Sequence, residues 1–198
     1  TVPSSKRRGL NRALWSMRVK APRVPSAASA AFGAATGPRL LPGTYTVRMT
    51  KDKTVYTTTL TVVPDPRSKC TAEERRAQFD LTMKIHGMLG DMTYLVDNMN
   101  GVRGALEQRA AGADESLAKR LRDGAAQADD LRRKIVATKE GGMITGEERL
   151  REFMADLYGS VNNYEGRPSR AQLERTDALH RELADMTKEF DDWAAKER

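Results

Sequence analysis

The sequence is poor in the residues that build several common kinds of site. Cys70 is the only cysteine among 198 residues, which excludes an internal disulfide and any multi-cysteine metal site. No apolar run reaches the roughly 18 residues that a membrane-spanning helix needs. The two histidines belong to no HExxH motif or zinc-type cluster, so the sequence predicts no metal or cofactor. Aromatic residues make up 6% of the chain, but 39% of hydrophobic residues suffices for a core.

Acidic residues are nearly absent from the first 70 positions. These hold 13 Lys or Arg but only Asp52 and Asp65, a net charge of +11, whereas the remainder carries 21 basic and 25 acidic residues, a net charge of −4. This asymmetry indicates two parts with different surroundings. The basic part either binds a phosphate-rich partner such as nucleic acid or faces solvent or an acidic neighbour. Only Lys6, Arg7 and Arg8 form a run, and aromatic residues interleave poorly with the charges, so nucleic-acid binding is the secondary hypothesis.

The first third of the chain has patterns typical of strands. Residues 10–18 place apolar side chains at alternate positions, which predicts a half-buried strand. Residues 21–42 contain four prolines among Ala, Ser and Gly, which predicts a mobile loop whose Ala/Ser segment, residues 26–36, has little to bury. Residues 43–50 and 54–63 predict an antiparallel hairpin that ends at Pro64. Three strands make a poor closed sandwich, so we expect further strands from upstream sequence or another chain.

The remaining two thirds predict helices, because apolar residues recur at spacings of three and four. A second predicted helix covers residues 114–139. Short connections favour antiparallel neighbours, so the segments predict an up-and-down bundle or a pair of helical hairpins. Capping boxes, in which two side chains satisfy the first backbone N–H groups, predict the other three helix starts, at Thr71 with Glu74, Thr145 with Glu148, and Ser169 with Gln172.

No residue stands out as catalytic. His86 and His180 lie on predicted helices, where a lone histidine is more often a packing or surface residue than a ligand. Cys70 precedes a helix N-terminus, which can activate a thiol, but no base is fixed beside it. Asp129-Asp130 and Asp191-Asp192 are adjacent pairs that point to different sides of a helix. They therefore do not form the facing carboxylates of a glycosidase.

Two further patterns have structural interpretations. Gly141 and Gly146 are spaced like the outer glycines of a phosphate-binding loop, but Glu147 and Glu148 replace the required Lys and Ser or Thr. We interpret this segment as a turn between helices. Methionines concentrate in the helical part and can form an adaptable binding surface, although at helical spacing among Leu and Ile they are more often core.

The order of the motifs resembles part of a known family. Residues 9–18 (GLNRALWSMR) resemble a GxNRxxWDLR strand centred on Trp15, except that Ser16 stands where the family usually has Asp. After a proline-rich loop come Pro42-Gly43-Thr44-Tyr45-Thr46-Val47-Arg48, the tripeptide Asp65-Pro66-Arg67 and an AQFDL stretch at 77–81. These motifs are similar to the C-terminal region of secreted bacterial BNR-repeat, sortilin-like proteins, often labelled glycosyl hydrolase-like. The resemblance covers nearly the whole chain.

The resemblance implies β-propellers upstream, then an immunoglobulin-like sandwich and a helical tail. It gives the motif residues Trp15, Pro42, Gly43, Tyr45, Val47, Asp65, Pro66 and Arg67 a structural role, and it implies export to the periplasm, outer surface or medium. No Asp-box of the SxDxGxTW type occurs, so no catalytic residue is carried over. Any glycosyl hydrolase-like activity would belong to the propellers, and the first sandwich strands would also lie upstream of Thr1.

The sequence therefore predicts an α+β fold in two parts. Residues 1–67 would be the last strands of the immunoglobulin-like sandwich, with the mobile loop at 21–42, and residues 68–198 a bundle of three or four helices. Trp15, Tyr45, Val47 and Leu60 are expected to pack the sheet. The predicted function is that of a non-catalytic structural or interaction module in a larger exported protein. Its partner would be the propeller part of its own polypeptide, another chain or a second copy.

Overall fold

The chain is α+β, with one β-hairpin followed by four helices. The computed structural model describes residue 2, residues 7–139 and residues 147–196. A short 3-10 turn at Phe32–Ala34 precedes two antiparallel strands, β1 (Gly43–Lys51) and β2 (Thr54–Val62). The helices are α1 (Ala72–Ala110), α2 (Glu115–Ile135), α3 (Leu150–Asn163) and α4 (Arg170–Lys196).

Two of the three predicted capping boxes are confirmed. The Thr71 hydroxyl accepts from the Glu74 amide at 3.2 Å, and the Glu74 carboxylate accepts from the Thr71 amide at 2.9 Å, so α1 begins where the sequence predicts. Ser169 and Gln172 form the same reciprocal pair, at 3.2 and 2.9 Å, before α4. The third box falls partly outside the described residues, because Thr145 does. Helix α3 begins at Leu150.

Helix α2 ends at Ile135, earlier than the predicted residue 139. The next two residues, Val136 and Ala137, are apolar and fully buried, at 0% and 1% exposure. Val136 has an extended backbone, and the Ala137 carbonyl accepts a hydrogen bond from the Ala28 amide at 3.0 Å. The chain leaves the helix here because that carbonyl and those side chains find partners in an earlier segment of the chain.

Helix α1 is the central element of the bundle and contacts α2, α3 and α4. Its buried face carries a stripe of apolar residues at helical spacing, in which Met88, Met92 and Met99 are 3% exposed or less. A smaller cluster joins the far end of α1 to α2 around Leu106 and Leu121. The main cluster of large side chains includes Leu81, Ile85, Met88, Leu89, Met92, Met99, Ile135, Leu150, Met154, Tyr158, Leu179 and Phe190.

The expectation that the Ala/Ser segment at 26–36 has little to bury is wrong. This segment belongs to a closed loop, residues 19–38, which we call the strap, and which lies across the helices. Its ends meet where the Val19 amide donates to the Pro38 carbonyl at 2.8 Å. Ala34 is buried, and Val24, Ala27 and Ala31 pack against the main core. Small side chains are enough to form this contact because the strap backbone itself approaches the helices. The strap and the helices lie on opposite sides of the boundary predicted between residues 67 and 68, so the contact joins the two predicted parts.

Buried polar groups of α3 fasten the strap. The Arg151 guanidinium, 5% exposed, donates to the Pro25 carbonyl at 2.7 Å and to the Ser29 hydroxyl at 3.2 Å. It also pairs with the Glu152 carboxylate at 2.6 Å, and this carboxylate accepts from Ser29 at 2.8 Å. The buried charge is therefore both paired and hydrogen-bonded, which is the condition under which a protein interior tolerates one.

A glycine pair sets the distance between strap and helix. At Gly159 of α3, an added Cβ would lie 2.8 Å from the Gly33 Cα, and at Gly33 it would lie 2.2 Å from the Ala155 carbonyl oxygen. Both distances are shorter than real Cβ contacts, so only glycine permits this approach. The Tyr158 hydroxyl, beside Gly159, donates to the Thr36 carbonyl at 2.8 Å.

The strand predicted at residues 10–18 is wrong. In this segment the structure has only an isolated bridge, between Arg18 and Arg39. Of the alternating apolar positions, Ala13 is exposed, Met17 is 49% exposed and Trp15 is half-buried, so the alternation buries little. Met17 has a φ of 55°, a left-handed conformation that interrupts an extended strand. The segment is irregular because it lacks a neighbouring layer to bury its apolar positions.

Because Gly159 contacts Gly33 and the space beside Gly104 is open, replacing each of these helical glycines with alanine should change the free energy of unfolding in opposite directions. Gly159→Ala forces backbone apart and is expected to lower the free energy of unfolding by about 1 to 3 kcal/mol. Gly104→Ala, in α1, meets no atom within 4 Å and should raise it by about 0.5 to 1 kcal/mol. Urea denaturation of both variants measures the effects. Equal stabilisation by both substitutions would show that the strap does not rest on α3.

Burial raises the pKa of Tyr158 to about 12 from an ordinary value of 10.0. The folded protein therefore holds this proton more tightly than the unfolded chain, and the stability that it contributes is lost as pH rises from 10 to 12. Tyr158→Phe should reduce the pH dependence of unfolding in this window by about 2 kcal/mol. Denaturation at a series of pH values measures this effect.

Candidate interaction surface

The predicted hairpin is confirmed, and its two faces differ. The register pairs Tyr45 with Leu60, Val47 with Thr58 and Met49 with Tyr56. Because side chains alternate between faces and directly paired residues share one, these six lie on the same side of the sheet. We call this side the apolar face. The opposite side carries mainly threonines, including those paired as Thr44 with Thr61 and Thr46 with Thr59.

The apolar face is uncovered among the described residues. Met49 is 56% exposed, Tyr56 51%, and Val47 and Leu60 43% each. No residue of either strand has its Cα within 8 Å of a Cα in the described helices. An isolated two-stranded hairpin is marginally stable at best. The hairpin therefore presents an apolar surface and unpaired strand edges of the kind that another strand layer covers.

The residues predicted to pack the sheet form only the beginning of a core. The Trp15 and Tyr45 rings meet edge to face with centroids 5.7 Å apart. The Tyr45 hydroxyl donates to the Leu41 carbonyl at 2.6 Å, which fixes the ring beside Pro42 at the start of β1. Val47, however, meets solvent. One end of the apolar face is thus closed by Trp15, and the end toward the turn is open.

The tripeptide Asp65-Pro66-Arg67 forms a local clamp after β2. The Asp65 carboxylate accepts from the Arg67 amide at 2.9 Å and from its guanidinium at 3.0 and 2.7 Å. The Arg67 guanidinium, with the amide, lowers the pKa of Asp65. All of these bonds are within three residues, so the motif shapes the exit from the hairpin, and Ser68 then binds Glu165 at 3.1 Å.

Most Lys and Arg side chains around the hairpin have no nearby carboxylate among the described residues. Between residues 7 and 63, the only described Arg or Lys with a carboxylate within 4.0 Å is Arg23, which pairs with Asp97 at 3.0 Å. Lys51 ends β1 on the same side as Met49, and Lys53 follows in the turn. Basic residues therefore flank the apolar face at the end toward the turn.

In the helical part, many charged side chains form ion pairs with one another. Asp129 of α2 binds three guanidinium groups, those of Arg103, Arg132 and Arg133, at 2.7 to 2.8 Å. Burial acts to raise the pKa of Asp129, but the Arg132 hydrogen bond and charge, together with the other two, lower it overall. Further pairs join different helices: Lys84 with Asp177 (2.8 Å) and Lys134 with Glu189 (2.5 Å).

The candidate reactive residues of the helices lie at three separate places. His86 Nε2 donates to the Lys20 carbonyl at 3.1 Å and so supports the strap. His180 lines an open groove of about 520 Å³ between α1 and α4. Asp191 and Asp192 also line this groove, and Cys70 is half-buried before α1. Within the described ranges, no group of three His, Cys, Asp or Glu residues is arranged to hold a metal ion.

The glycine-rich segment at 141–146 lies outside the described residues. On the far side of it, the Glu147 carboxylate accepts from the Thr138 amide at 2.9 Å and binds the Arg149 guanidinium. The Thr138 hydrogen bond and then Arg149 lower the pKa of Glu147 to about 2. Glu147 thus ties the end of α2 to the start of α3. Across the described part of the chain, no helix is long and apolar enough to span a membrane.

No family model matches this chain, and neither the curated proteins nor the solved structures contain a significant match to it.

Three features of the structure were not identified from the sequence. Tyr56 was part of a predicted strand but was not assigned to a face, although a period of two through Tyr56, Thr58 and Leu60 indicates it. The strap was missed because its contacts use backbone, alanine and glycine, for which periodicity gives no signal. The buried Arg151 likewise has no mark in the sequence that separates it from the solvated arginines.

The Trp15–Tyr45 contact predicts how the hairpin is held. Trp15→Ala should lower the hydrogen-exchange protection of β1 and β2 amides by about two- to tenfold, which corresponds to the usual 0.5–1.5 kcal/mol of an aromatic pair. Leu14→Ala, one residue away and 82% exposed, is the matched control and should leave that protection unchanged. Hydrogen exchange read by mass spectrometry measures both. Equal effects would assign the change to the segment in general and contradict a specific role for the ring.

Proposed function

We propose that this chain is a non-catalytic interaction module of a larger exported protein, resembling the C-terminal region of BNR-repeat, sortilin-like proteins. Its hairpin contributes two strands to an immunoglobulin-like sandwich, and strands from the rest of the same polypeptide complete it. The strap and helices form the base from which the hairpin projects. The observation that carries this proposal is the uncovered apolar face, with side chains 43–56% exposed at Val47, Met49, Tyr56 and Leu60.

The pattern of the hairpin supports a sandwich in particular. In a β-sandwich each sheet turns apolar side chains to the other sheet and polar side chains to water, with about 10 Å between the layers. The threonine side of this hairpin has the composition of a solvated face, and the apolar face has that of an inner one. The Trp15–Tyr45 contact supplies a first piece of the interior between layers.

A second candidate function, nucleic-acid binding through residues 1–70, is favoured by one observation only, the unmatched positive charge between residues 7 and 63. This candidate function predicts binding that depends strongly on salt concentration. Phosphate contacts release counterions, so affinity for a single-stranded oligonucleotide would fall steeply with salt. An apolar face and a threonine face are not required for that activity.

Tyrosine nitration tests the proposed covering of the hairpin. The natural full-length protein and the 198-residue chain are treated with tetranitromethane, and modification is measured peptide by peptide. Tyr56 is the reporter, exposed Tyr94 on α1 is the positive control, and fully buried Tyr158 is the negative control, at 51%, 68% and 0% exposure. In the 198-residue chain, Tyr56 should react like Tyr94. In the full-length protein it should become as unreactive as Tyr158.

Two results would contradict the proposal. The first is a natural protein with an intact mass equal to the 22.0 kDa of this chain, which would leave no further residues to supply strands. The second is a longer protein in which Tyr56 still reacts as fast as Tyr94. Protection of Tyr56 by an added oligonucleotide in the 198-residue chain would instead support the second candidate function.

A further inference from the structure

We infer that the strand layer covering the apolar face is acidic, with Asp or Glu side chains placed opposite Lys51 and Lys53 at the turn. This inference rests on the proposed function and adds the chemistry of the partner surface. It follows from a comparison of charges within the one chain.

Many Lys and Arg side chains of the helices form ion pairs with carboxylates of the helices, whereas those of the hairpin do not. On the helices, Lys84 and Lys134 each reach a carboxylate of α4, and Asp129 serves three arginines. In the hairpin, Asp52 is the only acid between residues 7 and 63, against ten Lys or Arg in the same range. Covering the apolar face brings the covering layer next to these cations, and complementary negative charge on that layer is then favoured at the solvated rim.

Lys51 and Lys53 lie at the turn end of the hairpin, and Lys51 is on its apolar side rather than its threonine side. Lys51 follows Met49 by two residues and pairs with Thr54, so it lies on the apolar side of the sheet. Lys53 is in the turn, at the open end of the face. Complementary charge at a rim mainly fixes register and speeds association. An acidic layer would therefore select one alignment of the added strands against this hairpin.

The apolar face also separates this partner from a nucleic acid. Phosphate binding needs positive charge and gains from aromatic stacking, but it leaves unpaired strand edges and aliphatic side chains such as Val47 and Leu60 without partners. Further strands satisfy both, because strands added beside β1 or β2 pair with the backbone edges and the facing layer packs on the aliphatic side chains. The same cations then meet carboxylates rather than phosphates.

Carbodiimide cross-linking of the natural full-length protein tests the inference. The reagent activates a carboxylate, a lysine amine in contact attacks it, and an amide bond forms with release of the corresponding urea. We expect Lys51 or Lys53 to become joined to Asp or Glu residues outside positions 1–198. Lys119, exposed on α2 and without an ion pair among the described residues, is the control and should give no such product.

Charge reversal provides a second measurement. In the full-length protein, Lys53→Glu should raise the nitration rate of Tyr56 by about threefold, the effect expected when one exposed ion pair is replaced by a repulsive one. Lys119→Glu reverses the same charge on the helices and should leave the rate unchanged. High salt should reduce the difference between wild type and Lys53→Glu, because it screens charges at the rim.

The outcomes distinguish this inference from the function on which it rests. If Tyr56 is protected but Lys51 and Lys53 join only to carboxylates within residues 1–198, and Lys53→Glu changes nothing, the covering layer exists and is not acidic. If Tyr56 reacts freely in the full-length protein, the proposed function itself fails. Cross-links to outside carboxylates together with protection of Tyr56 support both.

Discussion

The fixing of the strap onto α3 is the interaction on which the arrangement of the chain depends. Residues 19–38 lie before the hairpin in sequence, and their closed ends determine where β1 begins. The buried Arg151 holds this loop through the Pro25 carbonyl and the Ser29 hydroxyl, and the glycine pair allows backbone to meet backbone. A guanidinium that is 5% exposed would be costly without these partners, so strap and helix stabilise each other.

This attachment explains how a marginal hairpin can be displayed at a defined place. Two antiparallel strands with one exposed apolar side gain little stability from burial, since their largest side chains remain in contact with water. Their ends, however, are tied down: Tyr45 binds Leu41 and meets Trp15, and Ser68 binds Glu165 beyond the Asp65–Arg67 clamp. The hairpin is thereby oriented at its base, and its open end and edges remain available for a partner.

The sequence was informative where local interactions decide the structure. The boxes at Thr71 and Ser169 predicted the starts of α1 and α4, because a cap depends on residues only three positions apart. Alternation through Tyr45, Val47 and Met49 predicted β1. It failed at residues 10–18, where alternation of similar quality meets no second layer, and at the strap. There the energy comes from Gly33, Ala34 and backbone carbonyls meeting helices more than 100 positions away in the chain, as in the 126 positions separating Arg151 from Pro25.

The helices and the hairpin differ in whether their sequence spacing allows neighbouring charges to pair. On the helices, acids and bases are interleaved at spacings that let one residue serve a neighbour, as Asp129 serves Arg132 and Arg133 at three and four positions. On a hairpin, neutralisation would need opposite charges directly across the strands. This hairpin instead places Thr54 opposite Lys51 and Thr57 opposite Arg48. Its positive charge is therefore not neutralised across the strands, and the covering layer proposed above would supply carboxylates to it from outside the hairpin.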